Sequence, residues 1–300
     1  MLLWQIPVLL RVFVANGLAQ VLIKKNASSL GRTKRFFLQF LFCSLIMSSF
    51  AFVSGHLLFN TTALVIVLMG IFNGLAVYFQ WQAIDISMSK NAIFTFWDDV
   101  TAMVLAYFFL NESSLLNKSL ILGIVLSFSS VIMFSFYSYN KSKKVNNIEI
   151  KNRLVKFLTC IAIYSFIWGV LVFLIKYMAL KSVPALSFLT FWYLGSFLIA
   201  SLILAVNRQV GESIDLSFPW KDVRNVLMLS ITITSSMALT YWAYRSAPLT
   251  ISQPIFLVGE MILPVLLGLY YFKEIKELNL KEKLIFLVGV IGGLIVIINF

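Results

Sequence analysis

The sequence predicts an all-α membrane protein of ten transmembrane helices, built as two inverted five-helix repeats. Three observations lead there: an overwhelmingly apolar composition, a succession of apolar runs about 20 residues long, and an internal match between the two halves. Of 300 residues, 60% are hydrophobic and only 12% charged, and the mean hydropathy is +0.93. A chain of that make-up lies mostly in lipid.

The apolar runs fall at 6–25, 35–54, 62–85, 91–110, 118–137, 154–178, 184–206, 223–246, 250–272 and 283–299. Each is long enough to cross ~30 Å of hydrocarbon as a helix. The first contains Arg11, Asn16 and Gln20 and lacks a small-residue cleavage site, so it reads as a retained span rather than a signal peptide. The stretch 140–153 is strongly polar and basic. It divides the chain into a first repeat (1–139), a cytoplasmic linker (140–153) and a second repeat (154–300).

The halves match at several places in the same order. IFTFWDD (Ile93 to Asp99) lies over IFLVGEM (Ile255 to Met261) at an offset of 162, which sets Asp98 on Glu260. NGLAQVLIK (from Asn16) matches WGVLVFLIK (from Trp168) at 152, and the stretch around Gly123 matches that around Gly289 at 166. Loop insertions account for the drift. With five spans per half, the second half enters the membrane from the opposite side, the usual plan of a secondary transporter.

The net charge of +12 does not indicate nucleic-acid binding, because the basic residues sit in short links between apolar runs. Lys24, Lys25, Arg32, Lys34 and Arg35 cluster after the first span, and Lys141, Lys143, Lys144, Lys151 and Arg153 in the linker. The links on the opposite face offer little beyond Lys118, Lys181 and Arg245. The positive-inside rule then places both termini outside the cytoplasm, with the bacterial cytoplasmic (inner) membrane as the expected location.

At this point the chain resembles the drug/metabolite transporter superfamily, specifically its EamA-type ten-span branch. The duplicated five-span unit carries the resemblance, with the Asn16-Gly17 and Trp168-Gly169 pairs and the aromatic stretches ending in Asn111-Glu112 and Lys273-Glu274. The resemblance implies a central cavity lined by the first, third and fourth spans of each half, and movement of small metabolites by alternating access. The chain departs from the pattern at Ala102, which stands where the second half has Pro264, and in its Asp98-Asp99 pair.

Asp98 lies about 12 Å into its span, near the bilayer centre, and Glu260 is similarly central. A carboxylate at that depth costs about 2.5–3.5 kcal/mol on insertion scales and is a functional hypothesis by default. Such a group suits proton binding, a cationic substrate, or a fixed pair with Lys24, Lys176 or Arg245. Asp99 is turned about 100° from Asp98 on a helix, so it is expected to meet a neighbouring helix or a basic partner rather than the same cavity. Aromatic faces beside acids suit an organic cation or an aromatic metabolite; Trp97, Trp168 and Tyr241 are the candidates, with Asn16 shaping the pocket and Arg245 able to meet an anionic group. Lys24 and Lys176 either reach the headgroups or pair with the acids. Gln80 and Gln82 need polar partners within the bundle, and Pro254 and Pro264 are expected to bend the ninth span near Glu260. Glu112 and Glu274 read as loop caps.

Catalytic, metal and cofactor signatures are missing from the sequence. His56 is the single histidine, so no His-based metal or catalytic cluster can be built. Cys43 and Cys160 lie inside apolar runs and carry no disulfide argument. A phosphate-binding glycine loop is also missing, against ATP-driven transport by this chain. The expectation is a secondary transporter, not an enzyme, moving a small organic metabolite such as an amino acid or amine, with protons a candidate coupling ion and the lipid bilayer its surroundings. The alternative is a membrane-embedded enzyme acting on a lipid with its paired acids.

Overall fold

The computed structural model describes residues 5–27, 31–55, 57, 59–110, 148–209, 219–273 and 280–298, together with 117–119, 121–123, 125–126, 129–130, 132–133 and 136–137. Helices account for nearly all of these, and there is no strand among the described residues. They are α1 (Gln5–Ala27), α2 (Arg32–Ser54), α3 (Thr61–Ile86), α4 (Met88–Phe94), α5 (Phe96–Phe109), α6 (Ile148–Leu180), α7 (Ala185–Gln209), α8 (Trp220–Ser246), α9 (Leu249–Leu266) and α10 (Leu280–Ile298). Seven stretches among the described residues are long and apolar enough to cross a membrane. The expected fifth span is described only in part, as short helical pieces between 118 and 137. Glu112, Glu274, His56 and most of the linker lie outside the described residues.

Helix ends follow local chemistry. Gly31 and Gly55 flank α2 with φ of 91° and 67°, left-handed values that cost glycine nothing. The Gly55 amide closes the helix by donating to the Ala51 carbonyl at 3.1 Å. Ser87 caps α4, its hydroxyl accepting from the Lys90 amide at 3.3 Å.

Two helices depart from α geometry. Within α1, Val12–Ala19 is π-helical. The helix of the expected ninth span continues past α9 as a π-helical turn, Leu267–Tyr271, and the Leu267 amide is shared between the carbonyls of Leu263 and Pro264. The interruption expected near Glu260 thus falls after Pro264, while Leu249–Leu266 is α-helical through both prolines.

The chain forms two compact units, each drawing on both sequence halves. One comprises residues 1–81 and 174–246, the other 82–173 and 247–300. In the first unit, α2 packs along α7, α8 along α2, and α1 along α8. Phe36 centres an aromatic cluster, edge-on to Phe40, Tyr78 and Trp81 at 5.0–5.6 Å. There α3 and α7 touch backbone to backbone: a Cβ on Gly195 would lie 2.0 Å from the Val67 carbonyl oxygen, and one on Gly70 2.1 Å from that of Trp192. Only glycine permits that approach, the small-residue contact typical of membrane helices. Asn73 donates to the Ser196 hydroxyl at 2.8 Å, which donates to the Gly70 carbonyl at 2.9 Å.

In the second unit, α9 packs against α4, α5 and α10. The fourth span is split: α4 ends before Thr95 and α5 begins after it. The Asp98 amide bonds the Thr95 carbonyl three residues back, so Asp98 and Asp99 fall in the first turn of α5.

Candidate functional site: an acidic cluster within the second unit

Splitting the span places two carboxylates at a helix start, where the partial positive charge of free amides favours them. Both are deeply buried, Asp98 at 1% exposure and Asp99 at 2%. The Asp99 amide donates to Asp98 Oδ1 at 2.7 Å. From α9, Gln253 donates its side-chain amide to Asp99 Oδ1. Glu260, two turns further along α9 and half-buried, completes the group: one carboxylate oxygen from each of Asp98, Asp99 and Glu260 lies within 4.8 Å of the other two.

Asp99 does reach the neighbouring helix through Gln253, as the helical rotation suggested. It also joins the other two acids, which that rotation argued against. The reason lies across the helix pair: Gln253, on the helix that carries Glu260, holds Asp99 Oδ1.

The sixth span supplies the next layer. Tyr164, 5% exposed, lies in the electrostatic reach of Asp98, Glu260 and Asp99. Trp168 stacks on Tyr164, with ring centres 6.3 Å apart and planes 14° apart. One residue on, Gly169 presses against α5: a Cβ there would lie 2.7 Å from the Asp98 carbonyl oxygen and 2.6 Å from Thr101 Cβ. Trp97 is half-buried and lines an apolar groove with Thr101 and Ser165. Gln82, also in this unit, accepts from the Cys160 thiol at 3.9 Å.

The remaining sequence candidates belong to the first unit. Asn16 is 1% exposed on the π-helical stretch, and its Nδ2 has no hydrogen-bond partner among the described residues. Tyr241 is fully buried, donates to the Val183 carbonyl at 2.7 Å, and stacks on Phe188 at 4.7 Å. Arg245 is exposed at the end of α8. Lys176 is 4% exposed and donates Nζ to the Tyr244 carbonyl at 2.7 Å, while Lys24 is half-buried and Gln80 buried.

Sequence reading passes over Gln253, Tyr164 and Arg11. Gln253 precedes Glu260 by seven residues and Tyr164 precedes Trp168 by four, so helical spacing alone puts each on the face of a named candidate. Arg11 stands out in the sequence only as a polar residue in the first span, yet it is 7% exposed.

Three carboxylates at this spacing repel strongly when all are ionised, by ~3 kcal/mol per pair at an effective dielectric of 20. Protons, an organic cation or a hard metal ion would each relieve that repulsion. Asp98, Asp99 and Glu260 offer the all-oxygen donor set that suits a hard divalent cation.

A crystal structure of another protein shares the fold. It is 12% identical, covers 98% of this chain and 96% of that one, and superposes with a TM-score of 0.65; at that identity the likeness is of fold alone. No curated protein sequence matches the chain. The protein is an integral membrane protein whose residues 3–136 match the EamA-like transporter family, part of the drug/metabolite transporter superfamily.

Proposed function

We propose that the protein is a secondary active transporter of ten spans in two inverted five-helix repeats. It moves a small organic metabolite, an amino acid or amine, across the bacterial inner membrane by alternating access, with both termini outside the cytoplasm. Asp98 and Glu260 bind the proton or the positive charge of the substrate. Trp97 and Trp168 belong to the same unit, and Asn16, Tyr241 and Arg245 are further candidate substrate-binding residues.

The observation that carries this reading is the acidic cluster: one oxygen each from Asp98, Asp99 and Glu260 within 4.8 Å, with Asp98 and Asp99 in a stretch long and apolar enough to cross a membrane. Carboxylates this close repel one another when charged, and a positive charge that arrives and leaves is what a coupled carrier requires. The sequence match to a transporter family points the same way.

The test is uptake into proteoliposomes over a panel of amino acids and amines, with and without a pH gradient, alongside Asp98→Asn and Glu260→Gln. Solute accumulation by the wild type that either substitution abolishes supports the reading. Wild-type rates in both variants at every pH would remove the acids from the mechanism. A chemically altered product would favour a lipid-modifying enzyme instead.

A further inference from the structure

Two chain segments far apart in sequence meet through their helix ends in the first unit. One is 24–35, which ends α1 and begins α2; the other is 207–224, which ends α7 and begins α8. Asn207 donates its side-chain amide to the Thr33 hydroxyl at 3.1 Å, and Asp222 pairs with Arg35 at 3.5 Å. Arg35 also reaches back to α1, donating to the Asn26 carbonyl at 3.3 Å. The first segment carries Lys24, Lys25, Arg32, Lys34 and Arg35 and no acid, and the second adds Arg208, Lys221 and Arg224. Across both, eight basic residues stand against three acids, so the contacts concentrate a positive excess at one end of the unit.

That end lies at a defined depth. All four helices are long and apolar enough to cross a membrane, so their shared end falls where hydrocarbon gives way to lipid headgroups. Trp220, 76% exposed, begins α8 there, a common place for tryptophan at that boundary. Helix stability does not account for the charges. Arg32, Lys34 and Arg35 occupy the first turn of α2, which holds no acid and no side-chain cap, and positive charge at that end opposes the helix dipole. Lys25, Arg208, Lys221 and Arg224 are exposed.

We propose that this surface binds the headgroup of an anionic glycerophospholipid. Arginine meets phosphate through paired N–H donors and lysine as a point charge. The exposed Val206 and Met228, a short way along α7 and α8, offer the acyl chains an apolar flank. Headgroup depth and charge complementarity together select a lipid over an acidic peptide. The site stands independently of the acidic cluster and of transport.

The purified full chain in neutral detergent is titrated with phosphatidylglycerol or phosphatidylcholine, and bound lipid is counted by native mass spectrometry. Phosphatidylglycerol should bind saturably and about tenfold or more tightly than phosphatidylcholine. Arg32→Gln with Lys34→Gln should weaken phosphatidylglycerol binding roughly thirty-fold. Its melting temperature without lipid should equal or exceed that of wild type, because the charges removed oppose the dipole. Lys221→Gln with Arg224→Gln, from the other segment, should weaken binding likewise. Lys281→Gln with Lys283→Gln, which removes the same charge from the second unit, should leave the affinity unchanged. Equal binding of the two lipids, or equal weakening by all three pairs, would overturn the site. Displacement of phosphatidylglycerol by inorganic phosphate at constant ionic strength would assign the surface to a soluble anion and overturn the lipid.

Discussion

Gly169 and Asp98 meet across two helices, close enough that a single methyl group on the glycine would collide with the aspartate's carbonyl oxygen at 2.7 Å. The glycine of the repeated Trp-Gly pair thus sets how near α6 comes to the start of α5. It also brings Tyr164, just over one turn earlier, to Asp98. Gly169→Ala should push the helices apart by several tenths of an ångström, with a loss of about 1–3 kcal/mol typical of overpacking. Gly17→Ala, at the matching place in the first half where a Cβ meets nothing within 4 Å, should be silent. Thermal unfolding in detergent compares the two; equal melting temperatures would remove the close-packing argument.

The contact between Gly195 and the Val67 carbonyl is tighter still and is backbone on backbone, so neither side can yield by turning a side chain. Gly195→Ala should abolish a monodisperse peak in size-exclusion chromatography or lower the melting temperature by more than Gly169→Ala does. A variant indistinguishable from wild type would mean that α3 and α7 run further apart.

Lys176 gives its ammonium to the Tyr244 carbonyl inside the first unit. Lys176→Met keeps the length and removes the donor, leaving a buried acceptor unmet at a cost of about 1–3 kcal/mol. Chemical denaturation in mild detergent reads this directly. Unchanged stability would place the lysine's value outside folding.

Gln253 donates to Asp99 from the helix that carries Glu260. Gln253→Leu should reduce uptake of whichever solute the panel identifies several-fold and, by leaving a buried acceptor unmet, cost about 1–3 kcal/mol of stability without loss of folding. Loss of folding together with uptake would make Gln253 a packing residue instead.

Arg35 and Asp222 form an ion pair at 3.5 Å, with about a third of the Asp222 side chain exposed (33%). Exposed pairs contribute ~0–1 kcal/mol and are screened by salt. Asp222→Asn should therefore shift stability little, and less at high salt; a large loss would show that the pair is shielded from water in the membrane.

The spans are legible because apolar runs and polar links alternate plainly; α2 begins at Arg32 and ends at Ser54, against 35–54 read from sequence. Asp98 and Glu260, paired by the offset between the halves, do come together in the structure. The break at Thr95 is not legible, because no proline or glycine marks it. Gln253 and Tyr164 escape because a polar group inside an apolar helix acquires meaning from the groups it faces, which a single strand of letters does not state.

The π-helical stretch Val12–Ala19 bears on the sequence match between the halves. Each wide turn admits one residue beyond the α pattern, rotating the residues beyond it by about 100° relative to those before it. The sixth span runs as α-helix from Ile148 to Leu180 without such an insertion. The two stretches therefore differ in angular phase, although their letters align. Substitutions at the matched positions Asn16 and Trp168 are two separate experiments rather than one performed twice.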